Sequence, residues 1–273
     1  MKQPKAPKTK PSIMENSKIQ WTNYTWNPWY GCQKVSPGCK YCYMCREREG
    51  ENAKDVKRSK TKFNYPIGIK EPKLIFTCSW SDWFIPEADE WRDEAWGIIK
   101  KTPHLTYQIL TKRPERIKEN LPFNFESYKN VWIGVSVENQ DYISRLDYLQ
   151  DLPCVTFASF EPLIGPIHWN ASMSNLDWCI IGGESGNDFG NYRYRNMELS
   201  WAGDLVLNAK KNNLPCFVKQ LGTSQAKNLG LADRHGGSIT EFPQNLQVRE
   251  YPGLYVQKCK NRTCADQQLK LDF

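Results

Sequence analysis

Val131-Trp-Ile-Gly-Val-Ser-Val-Glu-Asn139 is followed directly by Gln140-Asp-Tyr-Ile-Ser-Arg-Leu-Asp-Tyr-Leu-Gln150 and then by Asp151-Leu-Pro-Cys-Val-Thr-Phe-Ala-Ser-Phe-Glu-Pro162. The first run is apolar and β-favouring, which predicts a strand over Val131–Val137. The second sets Ile143, Leu146 and Leu149 at helical spacing and predicts a helix over Asp141–Leu152. The third returns to a β-favouring run and predicts a strand over Val155–Phe160. A strand, a helix and a second strand in so short a stretch form the crossover unit of a parallel sheet.

The same alternation recurs on both sides of this unit. Strands are predicted at Leu74–Cys78, Leu105–Leu110, Trp178–Ile181 and Cys216–Lys219. A helix opens at Pro86-Glu-Ala-Asp-Glu90, with proline and acids in its first turn as the helix dipole prefers, and continues through Trp91, Ala95 and Ile98. Another covers Leu199–Leu214, where Leu205, Val206 and Ala209 precede the basic end Lys210-Lys211. Each apolar run stops at a polar or glycine-bearing group: Cys78-Ser-Trp-Ser-Asp82, Thr111-Lys-Arg113, Ser136-Val-Glu-Asn139, Phe160-Glu-Pro162, Gly182-Gly-Glu-Ser185 and Lys219-Gln220. The carboxyl ends of parallel strands form the binding face of α/β barrels and open α/β sheets alike. The expectation is an α/β fold with a partial or complete parallel barrel over residues 21–223. Residues 1–20 read as a basic, disordered leader, and residues 224–273 as an irregular C-terminal extension packed on the barrel.

The chain has 273 residues, 40% hydrophobic and 25% charged, with no apolar run near the length of a bilayer span. That excludes a helical membrane protein, a collagen-like chain and wholesale disorder. The formal charge is +7, of which Lys2, Lys5, Lys8 and Lys10 supply four, leaving a mildly basic body. A nucleic-acid partner is permitted by that balance and not demanded by it. The first residues carry no apolar export segment, so a cytoplasmic, reducing location is expected. There the ten cysteines read as buried apolar residues, metal ligands or thiols rather than as disulfides.

Four of them crowd one loop, Gly31-Cys-Gln-Lys-Val-Ser-Pro-Gly-Cys-Lys-Tyr-Cys-Tyr-Met-Cys45. Thiolates this dense on a glycine- and proline-turned loop suit a soft metal or an iron-sulfur cluster. Four sulfurs close a zinc site, whereas three hold a cubane and leave one iron open; the sequence leaves both readings standing. Cys78, Cys154, Cys179 and Cys216 lie in or beside apolar strands and read as small hydrophobes. Cys259 and Cys264 make a weak metal signal, and His104, His168 and His235 are scattered. Trp80, Trp83 and Phe84 read either as core or as the lining of a pocket for a flat substrate.

The set Cys32-x6-Cys39-x2-Cys42, with Tyr41 just before the third cysteine, resembles the three-cysteine loop of radical S-adenosylmethionine enzymes. Over a longer stretch the chain is similar to the phage-associated, radical-S-adenosylmethionine-like family. The pieces that match are Trp26-Asn27-Pro28, Gly31-Cys32, Ser36-Pro-Gly-Cys39, Cys42-Tyr43, Thr111-Lys-Arg-Pro114, Gly134-Val-Ser-Val-Glu138, Phe160-Glu-Pro162, Gly182-Gly-Glu-Ser-Gly186 and Lys219-Gln220.

The resemblance implies a barrel of that type with a 4Fe-4S cluster on Cys32, Cys39 and Cys42. For Cys45, a place as alternative ligand, as nearby thiol and as fourth zinc ligand all stay open. It also implies S-adenosylmethionine on the open iron, an electron donor, and a 5'-deoxyadenosyl radical that takes hydrogen from a substrate. Gly182, Gly183, Glu184 and Ser185 resemble the family's glycine-rich motif for the cofactor's amino group. Ser136, Glu138, Asn139 and Glu161 are candidates for its ribose and amino-acid portions, and Tyr41 for its adenine. A nucleic acid or nucleotide is the expected substrate, and a partner protein is allowed. The alternative is a non-catalytic zinc-binding module for nucleic-acid or protein recognition. A cluster used only for electron transfer is a third reading, for which closure by four cysteines is expected.

Overall fold

Seven strands pair in parallel, and their order across the sheet is their order along the chain. A computed structural model describes residues 17–44 and 53–253. The strands are β1 (Tyr24–Trp26), β4 (Leu74–Thr77), β5 (Thr106–Thr111), β6 (Val131–Ser136), β7 (Val155–Phe160), β8 (Trp178–Gly182) and β9 (Cys216–Gln220). Two short strands, β2 (Trp29–Tyr30) and β3 (Lys57–Arg58), form a separate antiparallel ribbon that the sequence did not announce. The sheet curls into a half-barrel, an α/β fold compatible with a partial parallel barrel. Each predicted strand is present within a residue or so of its expected ends.

Period-two alternation decides what each strand gives to each face. Ile75, Ile109, Ile133, Ala158, Ile181 and Val218 bury outward in the larger core, together with the apolar sides of α1 (Asp89–Lys101) and α2 (Leu199–Lys211). On the other face, Phe76, Trp132, Phe157, Trp178, Ile180 and Phe217 form a second cluster. Further along the strands that bear these aromatics, the same face carries Ser136, Ser159, Glu161 and Lys219. The half-barrel is thus plugged by rings toward the strand starts and polar toward the strand ends. Gly134 sits where this packing needs it, since a Cβ there would lie 2.5 Å from the ring of Phe157.

Both ends of the described chain pack on this aromatic floor. The ring of Trp21 lies 4.6 Å from that of Phe76, and Tyr251 stacks on Trp178 at 5.4 Å. Arg249 bridges antiparallel to Phe217, and the Tyr251 hydroxyl donates to the Gln20 carbonyl at 3.3 Å. Arg249 and Tyr251, beyond the last strand, thus pack against the sheet. Ile19 and Gln20 pack there too, although the leader was expected to reach residue 20. The short helix Gly222–Asn228 runs across the expected boundary at 223. The leader through residue 16, Cys45, Cys259 and Cys264 lie outside the described residues.

One element differs in kind. The segment expected as an α-helix over Asp141–Leu152 winds as a 3-10 helix over Gln140–Leu149. Its apolar side chains, Ile143, Leu146 and Leu149, recur every three residues, and three residues per turn is the 3-10 period. The winding also brings Arg145 back to the Ser136 carbonyl at 2.8 Å. Trp83 and Phe84 are fully buried, as the core reading expected, whereas Trp80 is half-buried at a cavity mouth. No helix among the described residues is long and apolar enough to cross a membrane.

Candidate active site

A cavity of about 1450 Å³ opens at the carboxyl ends of the parallel strands, roofed by the cysteine loop. That loop leaves β1 and is tied down on two sides. Toward β4, the Gly31 amide donates to the Trp80 carbonyl at 3.0 Å and the Ser81 hydroxyl donates to the Gly31 carbonyl at 2.6 Å. Toward β6, the Ser36 hydroxyl donates to Glu138 Oε1 at 2.6 Å. Gly38, in a 3-10 turn over Pro37–Cys39, lies so close that a Cβ there would be 2.4 Å from Glu138 Cγ.

Glu138 is fully buried and holds charges of opposite sign on both sides. Lys112 Nζ is 2.8 Å from Oε1 and Arg145 Nη1 is 3.0 Å from Oε2. Burial pushes its carboxyl up, but Lys112, Arg145 and the Ser36 bond outweigh that and hold it below the ordinary value. Glu184 makes the matching tie from β8. Arg195 grips it through both carboxylate oxygens, at 2.6 Å and 2.8 Å, and donates a further bond at 3.1 Å to the Pro37 carbonyl of the loop. The same guanidinium lies 5.4 Å from the centre of the Tyr41 ring.

Cys32, Cys39 and Cys42 all line this one cavity, and none of the described cysteines is in a disulfide. Among the described residues no three histidine, cysteine, aspartate or glutamate side chains gather closely enough to hold a metal ion. Cys39 Sγ is 3.7 Å from the Ser36 hydroxyl. Cys32 Sγ is 3.9 Å from Arg113 Nη1, and Arg113 also donates to the Gln33 carbonyl at 2.9 Å. Burial and the Asp82 carboxylate push the Cys32 thiol up to about 12, against the opposing pull of Arg113. Three soft sulfur donors thus share one mouth, with a cation beside the first, without being drawn together on one point.

The remaining sequence candidates divide. Tyr41, Ser136, Glu161, Gly183, Glu184 and Ser185 line the cavity. Glu161 is paired with Lys219 and receives a weaker bond from Gln220 at 3.4 Å. Ser185 lies 3.3 Å from the Tyr192 hydroxyl. Glu138, Asn139 and Gly182 are not in the lining; Asn139 donates to Asp141 at 3.1 Å, and its buried Oδ1 has no hydrogen-bond partner. Both oxygens of Glu138 and of Glu184 are engaged by the protein itself, so these two carboxylates anchor the loop in this form. Lys112, Arg113, Lys219 and Gln220, at the ends of β5 and β9, line the same cavity and make its mouth polar and partly cationic.

Sequence reasoning missed the residues that do the anchoring. Asp82 is buried and accepts from the Thr111 hydroxyl at 2.6 Å, from the Lys112 amide at 2.9 Å and from the Phe84 amide at 2.9 Å, with Arg113 at 3.2 Å. Its only signal was its place at the end of a strand. Arg195 lies in an irregular stretch with no periodicity to mark it.

The family described as a protein of unknown function, DUF5131, matches residues 16–267. The chain belongs to that family. The match spans the half-barrel, the cysteine loop and every residue just described. No curated protein matches the chain.

Proposed function

We propose that this DUF5131 protein is a radical S-adenosylmethionine enzyme acting on a nucleic acid or nucleotide. The observation that carries the reading is that Cys32, Cys39 and Cys42 share one cavity with the polar carboxyl ends of β5 to β9. In this reading the three thiols would hold a 4Fe-4S cluster, and Tyr41, Ser136, Ser185 and the Gly183 backbone would border S-adenosylmethionine. When bound, these groups supply reductive cleavage of a sulfur–carbon bond and a 5'-deoxyadenosyl radical that takes a hydrogen atom from substrate.

The chain's own residues prepare the site. Glu138 and Arg195 hold the loop over the cavity, and Arg113 offsets negative charge at Cys32. The aromatic floor puts an apolar layer of side chains beneath the cavity, which would limit the access of water from that side. The carboxyl-end location is the one where parallel barrels and sheets carry their chemistry.

The test is anaerobic purification followed by iron, zinc and acid-labile sulfide analysis. Brown protein with iron and sulfide is expected, and with reductant and S-adenosylmethionine it releases 5'-deoxyadenosine. Cys39→Ala abolishes that release and Cys45→Ala leaves it. Colourless protein with stoichiometric zinc overturns the reading.

A further inference from the structure

The cations around the cavity fall into two groups. Lys112, Arg113 and Lys219 are buried or half-buried, and each has a carboxylate partner, in Glu138, Asp82 and Glu161. Lys18, Lys62 and Arg234 also line the cavity, but all three are exposed and none makes an ion pair with a described residue. The interior is thus locally neutralised, while the cations that have no ion pair among the described residues stand at the rim.

That rim includes the open side of the half-barrel. β1 and β9 are the two edges of the seven-stranded sheet. Lys18 precedes β1, and Arg234 follows β9 on the segment that packs against Gln20, since a Cβ at Gly237 would lie 2.7 Å from Gln20 Nε2. Within the mouth, the half-buried ring of Trp80 stands beside the cysteine loop, its backbone fixed by Asn27 and Gly31. Its indole makes no hydrogen bond to a described residue, and the residue lines the cavity. At about 1450 Å³ the cavity is larger than a site for one small ligand commonly is, so it has room for a second molecule beside a nucleoside cofactor.

We infer that the cavity takes single-stranded nucleic acid, with backbone phosphates on Lys18, Lys62 and Arg234 at the rim and one base turned inward onto Trp80. Exposed cations track a phosphate backbone without reading sequence, and an aromatic face accepts any base by stacking. A free nucleotide fits less well. Its phosphates would follow the base into an interior whose cations are already matched by acids. A duplex base would first have to leave its stack. The proposal deepens the substrate class of the reading above, but strand binding needs no cofactor and is measured separately from it.

The experiment is fluorescence anisotropy of labelled, mixed-sequence single-stranded DNA and RNA on the full chain, over a range of salt, with iron and sulfide measured on the same sample. Lys2, Lys5, Lys8 and Lys10 are replaced by alanine throughout, so that the leader does not supply the affinity. Single strands are expected to bind in preference to duplex and to mononucleotide, with a log–log salt slope of about −2 from three phosphate contacts. Reversing Lys18, Lys62 and Arg234 to glutamate is expected to weaken binding at least about tenfold and to flatten that slope. Trp80→Ala is expected to weaken it at least about fivefold while leaving the slope unchanged. Thermal melting of each variant shows whether it is folded. Binding unchanged by the charge reversals, or a mononucleotide or duplex that competes equally, overturns the proposal. Strand binding by protein that lacks iron upholds it and counts against the cofactor reading alone.

Discussion

Glu138 Oε1 accepts a 2.6 Å hydrogen bond from the hydroxyl of Ser36, a residue 102 positions earlier in the chain. That bond fixes the cysteine loop to the end of a central strand. The carboxylate that makes it is buried between Lys112 and Arg145. Removing one member of a buried charge cluster strands the others, which typically costs more than the cluster contributed.

Glu138→Gln should therefore lower unfolding free energy by about 3 kcal/mol, read from urea or guanidinium midpoints. It should also change the pH profile. A carboxyl whose folded value is lowered contributes stability that is complete above its unfolded value and is lost as pH falls through the folded one. With an ordinary value of 4.5, the wild type should lose this contribution only as pH drops below that figure. The Gln variant, with no carboxyl there, should show a shallower acid limb. An unchanged acid limb would remove Glu138 from this role.

Arg195→Ala cuts the second tie, freeing Glu184 and the Pro37 carbonyl. The guanidinium is 27% exposed, so water recovers part of the loss and the stability cost should be only about 1 kcal/mol. The larger effect should be local. Amide exchange around Pro37–Cys39 is expected to accelerate well beyond what the global stability change explains. Arg195→Lys keeps the charge but not the two-pronged grip, and should restore little.

Gly134→Ala tests the floor of the half-barrel. The added methyl meets the Phe157 ring at 2.5 Å in a packed cluster, so a cost of about 2 kcal/mol is expected. Adding Phe157→Leu should recover part of it, and a double-mutant cycle should show coupling between the two sites. Additive effects would mean that the ring is not what the glycine accommodates.

Cys32 should be sluggish in metal-free protein. With its thiol pushed up to about 12, its thiolate fraction at pH 8 is about a thousandfold below that of an ordinary cysteine. Alkylation followed by peptide mass spectrometry should find Cys32 nearly unmodified. Asp82→Asn removes one of the upward pushes and should speed the reaction, whereas Arg113→Met should slow it further.

The sequence alone determined six of the seven parallel strands and where each of them stops, because alternation and turn chemistry are local properties written over five to ten residues; the three-residue β1 was too short to carry that signal. It also marked the cysteine loop, whose crowding of thiols needs no fold to be noticed. It read Ile143, Leu146 and Leu149 as an α-helix, since a spacing of three serves both helix types until neighbours choose between them. The tertiary structure alone decided which strand-end acids are already spoken for. Glu138 and Glu184 look like ligand groups in one dimension, yet their partners Ser36, Lys112 and Arg195 are 102, 26 and 11 residues away. Electrostatic pairing depends on distance in space, and the curl of the sheet brought those partners within 3 Å. The same curl gathered Lys18, Lys62 and Arg234, spread over most of the sequence, around one cavity.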